Sequence, residues 1–420
     1  MAKNPKINWR LIGPGIVLAA AGVGAGDIVA SGVAGASFGM ALLWAVLVGA
    51  IFKFFLNEGM ARYQLATGKT FMEGYTKKCK YFNYYFIVYL VVWSFIVGGA
   101  LLSGMGVVTN SMFPIFSLKA WAVINAIVVM SVIMTGTYKI FERIMKFLAG
   151  VMFLSFVISA IAVFPSFIAF FKGLFIPIIP AVNTNLFDSV FKVLAVLGGV
   201  GGTVTIMAYS YWIRENKITS PKQVGLVRLD LGIGYFITFV FGVCVMIVAA
   251  ALIHPVGGQI SGKQGIIYLA QTMSSVLGPL GFWSFMIGFW AAIFSSLMSF
   301  YQAIPYLFCD AIRLVKKKTG KAAEKIVSMK SAYYKGYVIY CFLPPMLLLF
   351  LDKPVFLILL YTVMGAFFMP FLALMLLIIG NDNKLGKLKN QLYHNFVLVL
   401  VFVVMIIVSF WPLIKKYILT

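Results

Sequence analysis

Two stretches of this sequence place polar chemistry where the surrounding residues are almost wholly apolar. In "AAGVGAGDIVAS", residues 20 to 31, Asp27 follows Gly22, Gly24 and Gly26. In "GGVGGTVT", Gly198 to Thr205, four glycines lead into Thr203 and Thr205. Glycine clusters loosen a helix, and a carboxylate at the centre of an apolar span costs about 3 kcal/mol on insertion scales. Together they predict two broken helices, whose freed amides and carbonyls must face a cavity or a ligand because lipid cannot satisfy them. Asp27 then needs a cationic partner. The candidates are a transported cation, a proton, or Lys53 on the next apolar run; Lys53 has the alternatives of snorkelling to the span end or meeting Glu58.

The other acids read as span-end or loop residues, including Glu58, Glu73, Asp230 and Asp310. Asp188 and Lys192 have the four-residue spacing of a helical ion pair. Ser295, Ser296, Ser299, Gln302 and Thr362 are polar within apolar surroundings, though hydroxyls in spans usually bond to their own helix. The stretch "YSYWIRE", Tyr209 to Glu215, reads as an interfacial aromatic belt, and "HPVGGQISG", 254–262, as a plain loop. Gly32, Gly39, Gly232 and Gly242 read as helix-packing positions. His254 falls in an outer loop and His394 at the inner end of the last span, so no histidine is expected at the centre.

The elements that must carry these residues are set by composition. The chain has 420 residues, 62% hydrophobic and 11% charged, which excludes an ordinary soluble core. Eleven runs are long enough to span a bilayer: roughly 11–37, 41–64, 82–107, 119–136, 142–166, 186–213, 229–253, 279–309, 335–351, 354–380 and 393–414. The result is an all-α polytopic membrane protein in a single transmembrane domain. The two glycine breaks are five spans apart. A five-span unit followed by another enters the bilayer with opposite orientation, so the sequence predicts inverted repeats, approximately 11–166 and 186–380, with an extra helix at 393–414.

The net charge of +23 invites a nucleic-acid reading, but topology accounts for it. With the N-terminus inside, 26 of the 34 Lys and Arg residues fall on the cytoplasmic side, including Lys3, Lys6, Arg10 and the run Arg313 to Lys335. The outer side holds Lys119, Lys172, Lys263, Lys353, Lys415 and Lys416. The partners implied are a lipid bilayer and a transported ion or solute, with no nucleic acid, in a chain expected to be monomeric. Four scattered cysteines give neither a disulfide framework nor a thiolate metal site. The first apolar run is too long for a cleavable signal. The expected location is a prokaryotic plasma membrane, N-terminus cytoplasmic and C-terminus outside.

Several motifs resemble the NRAMP-type metal-ion transporters, which have a LeuT-like inverted-repeat fold. They are the passage "GAGD…AGASFG…LLW", "ATGKT", "YKIFERIMKFL", "GLFIPIIP", "GFWAAIFSS", and Pro370 followed by "NDNKLGKLKN". The resemblance implies that helices 1 and 6 are broken at the midplane and hold the ion. The family's first break reads Asp-Pro-Gly-Asn. Here Gly24-Ala25-Gly26-Asp27 stands in its place, so the metal-binding Asp is matched by Gly24 and the Asn by Asp27. The sixth-span motif puts Thr205 at the family's metal-binding Met and Met207 at its His. A two-residue shift restores Met207 as an alternative sulfur ligand. Thr362 matches the family's polar Gln in the tenth span.

With Thr205 in place of sulfur the ligand set is oxygen-only, which favours hard ions such as Mg²⁺ or Mn²⁺. The expected function is secondary transport of such a cation. Asp27 is the charged ligand, Gly24, Gly26, Gly202 and Thr203 are main-chain donors, and Thr205 and Thr362 supply hydroxyls. Ser295 and Ser296, facing the first-span carbonyls, or Lys53, would mark a second cation or coupling site for Na⁺. Without a central histidine, H⁺ coupling would fall on Asp27. The alternative is a cation-coupled carrier of a small organic solute such as an amino acid or amine. No permanently bound cofactor is implied. An enzyme is not expected, since no nucleophile–base pair or metal-ligand spacing appears.

Overall fold

The computed structural model describes residues 13–180, 186–261 and 264–418. Lys3, Lys6, Arg10 and Lys263 from the charge count lie outside the described residues. Among the described residues every regular element is helical, α or 3-10. Ten helices are long and apolar enough to cross a membrane, eleven if one bent pair counts as a single span.

That pair is the first span, Pro14–Gly22 and Ala25–Phe38, whose halves meet at 52°. The second to fifth spans are Leu43–Thr67, Tyr81–Met112, Leu118–Thr135 and Tyr138–Ala162. The sixth begins as Leu186–Gly199, unwinds, and resumes as a 3-10 turn, Val204–Ala208, and the helix Tyr209–Glu215. Val224–Leu252 is the seventh, Gln264–Val315 contains the eighth, and Ala332–Phe342 with the 3-10 stretch Pro344–Leu351 forms the ninth. Pro354–Gly380 and Leu392–Ile418 complete the set.

Local chemistry explains most boundaries. Gly39 and Gly68 terminate their helices at φ 59° and 69°, each returning its N–H to the carbonyl four residues back. In "ATGKT" Thr70 caps the short helix Phe71–Lys78, with Glu73 completing a capping box. The eighth span is predicted from 279, but the helix starts at Gln264 and turns at Gly278, φ 62°, immediately before Pro279. A residue before proline is pushed out of helical geometry, and glycine tolerates the left-handed alternative. Phe71–Lys78, Phe167–Phe175 and Gly320–Ile326 are further short helices within segments read from sequence as connections.

The two broken spans form the hub. The sixth span's most apolar window is 83% buried, against 28% for the fourth and for the eleventh. The peripheral spans turn large apolar side chains outward, among them Phe147, Leu154, Ile161 and Phe396. Close packing at the hub depends on missing side chains. A Cβ on Gly198 would lie 2.0 Å from the Thr362 carbonyl oxygen on the tenth span, and one on Gly365 would lie 2.2 Å from Thr203 Cγ2. Of the glycines read as packing positions, Gly242 abuts Val46 whereas Gly232 has nothing within 4 Å; Gly39 is a helix terminator.

Gly198→Ala is therefore expected to destabilise the purified protein by about 1–3 kcal/mol, because neither backbone can retreat. Gly225→Ala, with nothing within 4 Å of the added Cβ, is expected to be neutral or mildly stabilising. Thermal unfolding in detergent compares them, and equal melting points would contradict the packing described.

Candidate functional site

Each broken span leaves a helix end inside the protein, and each end exposes peptide groups with no partner in its own helix. Four side chains answer them. At the end of Pro14–Gly22, Ser295 Oγ donates to the Ala20 carbonyl at 2.8 Å and Ser296 Oγ to the Ala21 carbonyl at 3.5 Å. At the end of Leu186–Gly199, Lys53 Nζ donates to the Gly198 carbonyl at 2.6 Å and to the Val200 carbonyl. Asp27, in the first turn of Ala25–Phe38, accepts from Gly24 N at 3.3 Å with Oδ2 and from Gly201 N at 3.2 Å with Oδ1. The carboxylate thus ties the first break to the sixth. Its position at a helix N-terminus, like that of Lys53 at a helix C-terminus, is the favourable one for its charge. All four residues are fully or almost fully buried.

The two breaks touch directly. A Cβ on Gly22 would lie 2.6 Å from the Gly201 carbonyl carbon, and Gly201 and Gly202 take φ of 77° and 82°, which glycine alone adopts without strain. Gly24 is constrained differently. Its backbone is extended, but a Cβ there would lie 1.7 Å from Ser296 Oγ.

Beside this junction is a cavity of about 30 Å³, room for a water molecule or a small ion. It is lined by Ala21, Gly22, Gly26, Gly199 and Gly202 with Thr203, Thr205, Ser296, Ser299 and Tyr361, and by the largely apolar side chains of Trp93, Val97, Leu101 and Phe300. The predicted residues Gly26, Gly202, Thr203, Thr205 and Ser296 therefore meet at one place. Others do not reach it. Asp27 lies behind the cavity, its oxygens turned to the two amides. Gly24 packs on Ser296, the Thr362 hydroxyl returns to the Leu359 carbonyl on its own helix, and Met207 is buried in the 3-10 turn away from the cavity lining. Lys53 neither snorkels nor meets Glu58, which is engaged by Arg62 and Arg228.

Sequence reasoning missed Trp93, Phe300 and Tyr361, which carry no local mark of an inward orientation. It also misplaced "YSYWIRE". Tyr209 and Trp212 are fully buried, and the tyrosines donate to two acids read as peripheral: Tyr209 to Asp230 at 2.8 Å and Tyr211 to Asp310 at 2.7 Å. Asp230 also accepts from Gly13 N and Gly15 N, at 3.0 and 2.7 Å, so it clamps the start of the first span to the end of the sixth. Asp310 further holds Thr70 and Arg313. These contacts join the first, sixth, seventh and eighth spans at the end that carries the basic loops. A cavity of about 550 Å³ lies beside the Asp310 cluster, and one of about 980 Å³ lies near Asp188, Lys192 and His254. Lys192 pairs with Asp188 at 2.6 Å, and among the described residues no group of three or more His, Cys, Asp or Glu is placed to hold a metal.

Two broken helices facing each other within a bundle of this connectivity are the arrangement of a LeuT-like membrane fold. Residues 15–415 match the model of the natural resistance-associated macrophage protein-like family, and the chain belongs to that family of membrane transporters. A manganese transporter of Eremococcus coleocola, solved in a mutant form, superposes with a TM-score of 0.71 at 15% identity, covering 99% of this chain and 90% of that one. Mhp1, a nucleobase-cation-symport-1 family transporter, superposes with a TM-score of 0.56 at 12% identity over 98% and 94% of the two chains. An uncharacterised protein of Pasteurella multocida is 22% identical over 282 residues, which span 66% of this chain and 64% of that relative.

Since Gly24 is constrained by Ser296 and not by its own dihedral angles, Gly24→Ala is expected to cost about 1–3 kcal/mol and Ser296→Gly to recover most of it in the double variant. Additive losses in melting experiments would contradict this contact.

Proposed function

We propose that this protein is a secondary transporter that carries a hard divalent cation, Mg²⁺ or Mn²⁺ in preference to soft transition ions, by alternating access. Its basic loops then lie in the cytoplasm, following the distribution of lysine and arginine. The observation that supports the reading is the cavity between the breaks, whose lining residues include five that bear hydroxyls, Thr203, Thr205, Ser296, Ser299 and Tyr361, beside Gly22, Gly26 and Gly202, and no methionine or cysteine. Oxygen donors suit hard cations. Thr205 is the side chain that meets the ion from the sixth span, where a thioether would select softer metals. Asp27 stands one layer behind and lends its charge as the breaks part. The manganese carried by the Eremococcus coleocola protein agrees in charge class with this assignment.

In transport terms, the first and sixth spans are the elements that move, because each is already severed at its centre and pivots without breaking regular hydrogen bonds. Opening toward the basic end requires release of Tyr209 from Asp230 and Tyr211 from Asp310. Opening toward the other end leaves those contacts in place.

The apolar wall of Trp93, Val97, Leu101 and Phe300 favours a second reading, a carrier of a small organic amine or amino acid. A cavity of about 30 Å³ excludes such a solute in this conformation, so the ion is preferred.

Reconstituted in liposomes, the protein is expected to take up Mg²⁺ and Mn²⁺ in mutual competition. Displacement by an amino acid or amine but not by millimolar metal would overturn the assignment. Thr205→Cys, which brings a soft ligand to the cavity, is expected to strengthen inhibition by Cd²⁺ about tenfold or more relative to Mg²⁺.

A further inference from the structure

Lys53 is fully buried on the second span, and its ammonium is held by main-chain oxygens, those of Gly198 and Val200, where the sixth span begins to unwind. The negative charge that faces it is Asp27, whose Oδ1 holds the amide of Gly201, the residue after Val200. An ammonium ligated by carbonyls at a helix C-terminus, opposite one carboxylate, has the surroundings of a bound monovalent cation. Carbonyl oxygens of unwound segments are the groups that coordinate coupling cations in carriers built on broken helices. Here the position is filled by the chain itself. At the first break the carbonyls of Ala20 and Ala21 receive uncharged hydroxyls, those of Ser295 and Ser296, in place of an ammonium.

We propose that the Lys53 ammonium is a tethered monovalent cation that permanently occupies a carbonyl-lined cation site at the sixth-span break. The carrier consequently needs no free Na⁺ or K⁺ to hold that break together, and removal of the ammonium creates a site that takes a monovalent cation from solution. This rests on the transport reading for its meaning, but the site itself exists independently of the cargo. A lysine that merely fills space would confer no such dependence when shortened.

The test has two arms. In the first, uptake of Mn²⁺ by the wild-type protein in liposomes is expected to be equal in Na⁺, K⁺ and N-methyl-D-glucamine media; a requirement for Na⁺ or K⁺ overturns the proposal. In the second, Lys53→Ala, which leaves room for an ion, is compared with Lys53→Met, which fills the space without charge. Addition of about 100 mM methylammonium or sodium chloride is expected to raise the melting point of Lys53→Ala by several degrees more than that of the wild type or of Lys53→Met. A folded Lys53→Ala protein with no such cation-specific shift overturns the proposal. Should Lys53→Ala fail to fold alone, its purification in about 100 mM methylammonium chloride decides. Recovery of folded protein with methylammonium but not with N-methyl-D-glucamine supports the proposal, and no recovery with any small monovalent cation overturns it. The melting arm involves no transported metal, so its failure is distinguishable from failure of the transport reading.

Discussion

Peptide groups exposed by a broken helix inside a membrane protein must find partners within the protein, because hydrocarbon offers none. That constraint organises the centre of this molecule. Two spans are severed at mid-length, and the helix ends are answered by Ser295 and Ser296, by Lys53, and by Asp27. Each answering group has the chemistry the exposed end demands: donors for carbonyls and an acceptor for amides. Asp27 is decisive because it satisfies one amide on each break, and so converts two separate interruptions into one junction.

The cavity follows from the junction. With its amides engaged by Asp27 and the last carbonyls of the sixth span's first half engaged by Lys53, the remaining main chain of Gly22, Gly26 and Gly202 is what faces the open space, joined by hydroxyls. Asp27 and Lys53 thus find their partners in the main chain around the junction. At the basic end, the buried acids Asp230 and Asp310 apply the same logic at a different place. Each gathers donors from segments far apart in sequence, including Tyr209 and Tyr211 on the second half of the sixth span. The two acids thus join these segments through a few directional hydrogen bonds.

The spans and the breaks were legible in the sequence because both are local properties. A run of apolar residues encodes its own length, and "AAGVGAGD" and "GGVGG" encode their own weakness as helix. The five-span offset between them then implied the inverted repeat. What remained illegible depends on how helices are rotated and how deeply they sit. Nothing around Lys53 reveals that its amine meets carbonyls of Gly198 and Val200, some 145 residues away. Asp27 was read as a ligand because it is an acid in a glycine cluster, yet Gly24 of that cluster and Gly201 of the other supply amides to which its oxygens turn. "YSYWIRE" has the composition of an interfacial belt, and only the arrival of Asp230 and Asp310 from the seventh and eighth spans makes it a buried latch. Hydroxyl positions were equally ambiguous: Thr205 faces the cavity while Thr362 bonds to its own helix.

The claim on which the account turns is that one carboxylate bridges both interruptions, and amide hydrogen exchange at Gly24 and Gly201 tests it most directly. Both amides are predicted to be protected in the wild-type protein and to lose protection together in Asp27→Asn, while amides in the middle of the third span keep theirs. Unchanged exchange at either glycine in that variant would contradict the bridge.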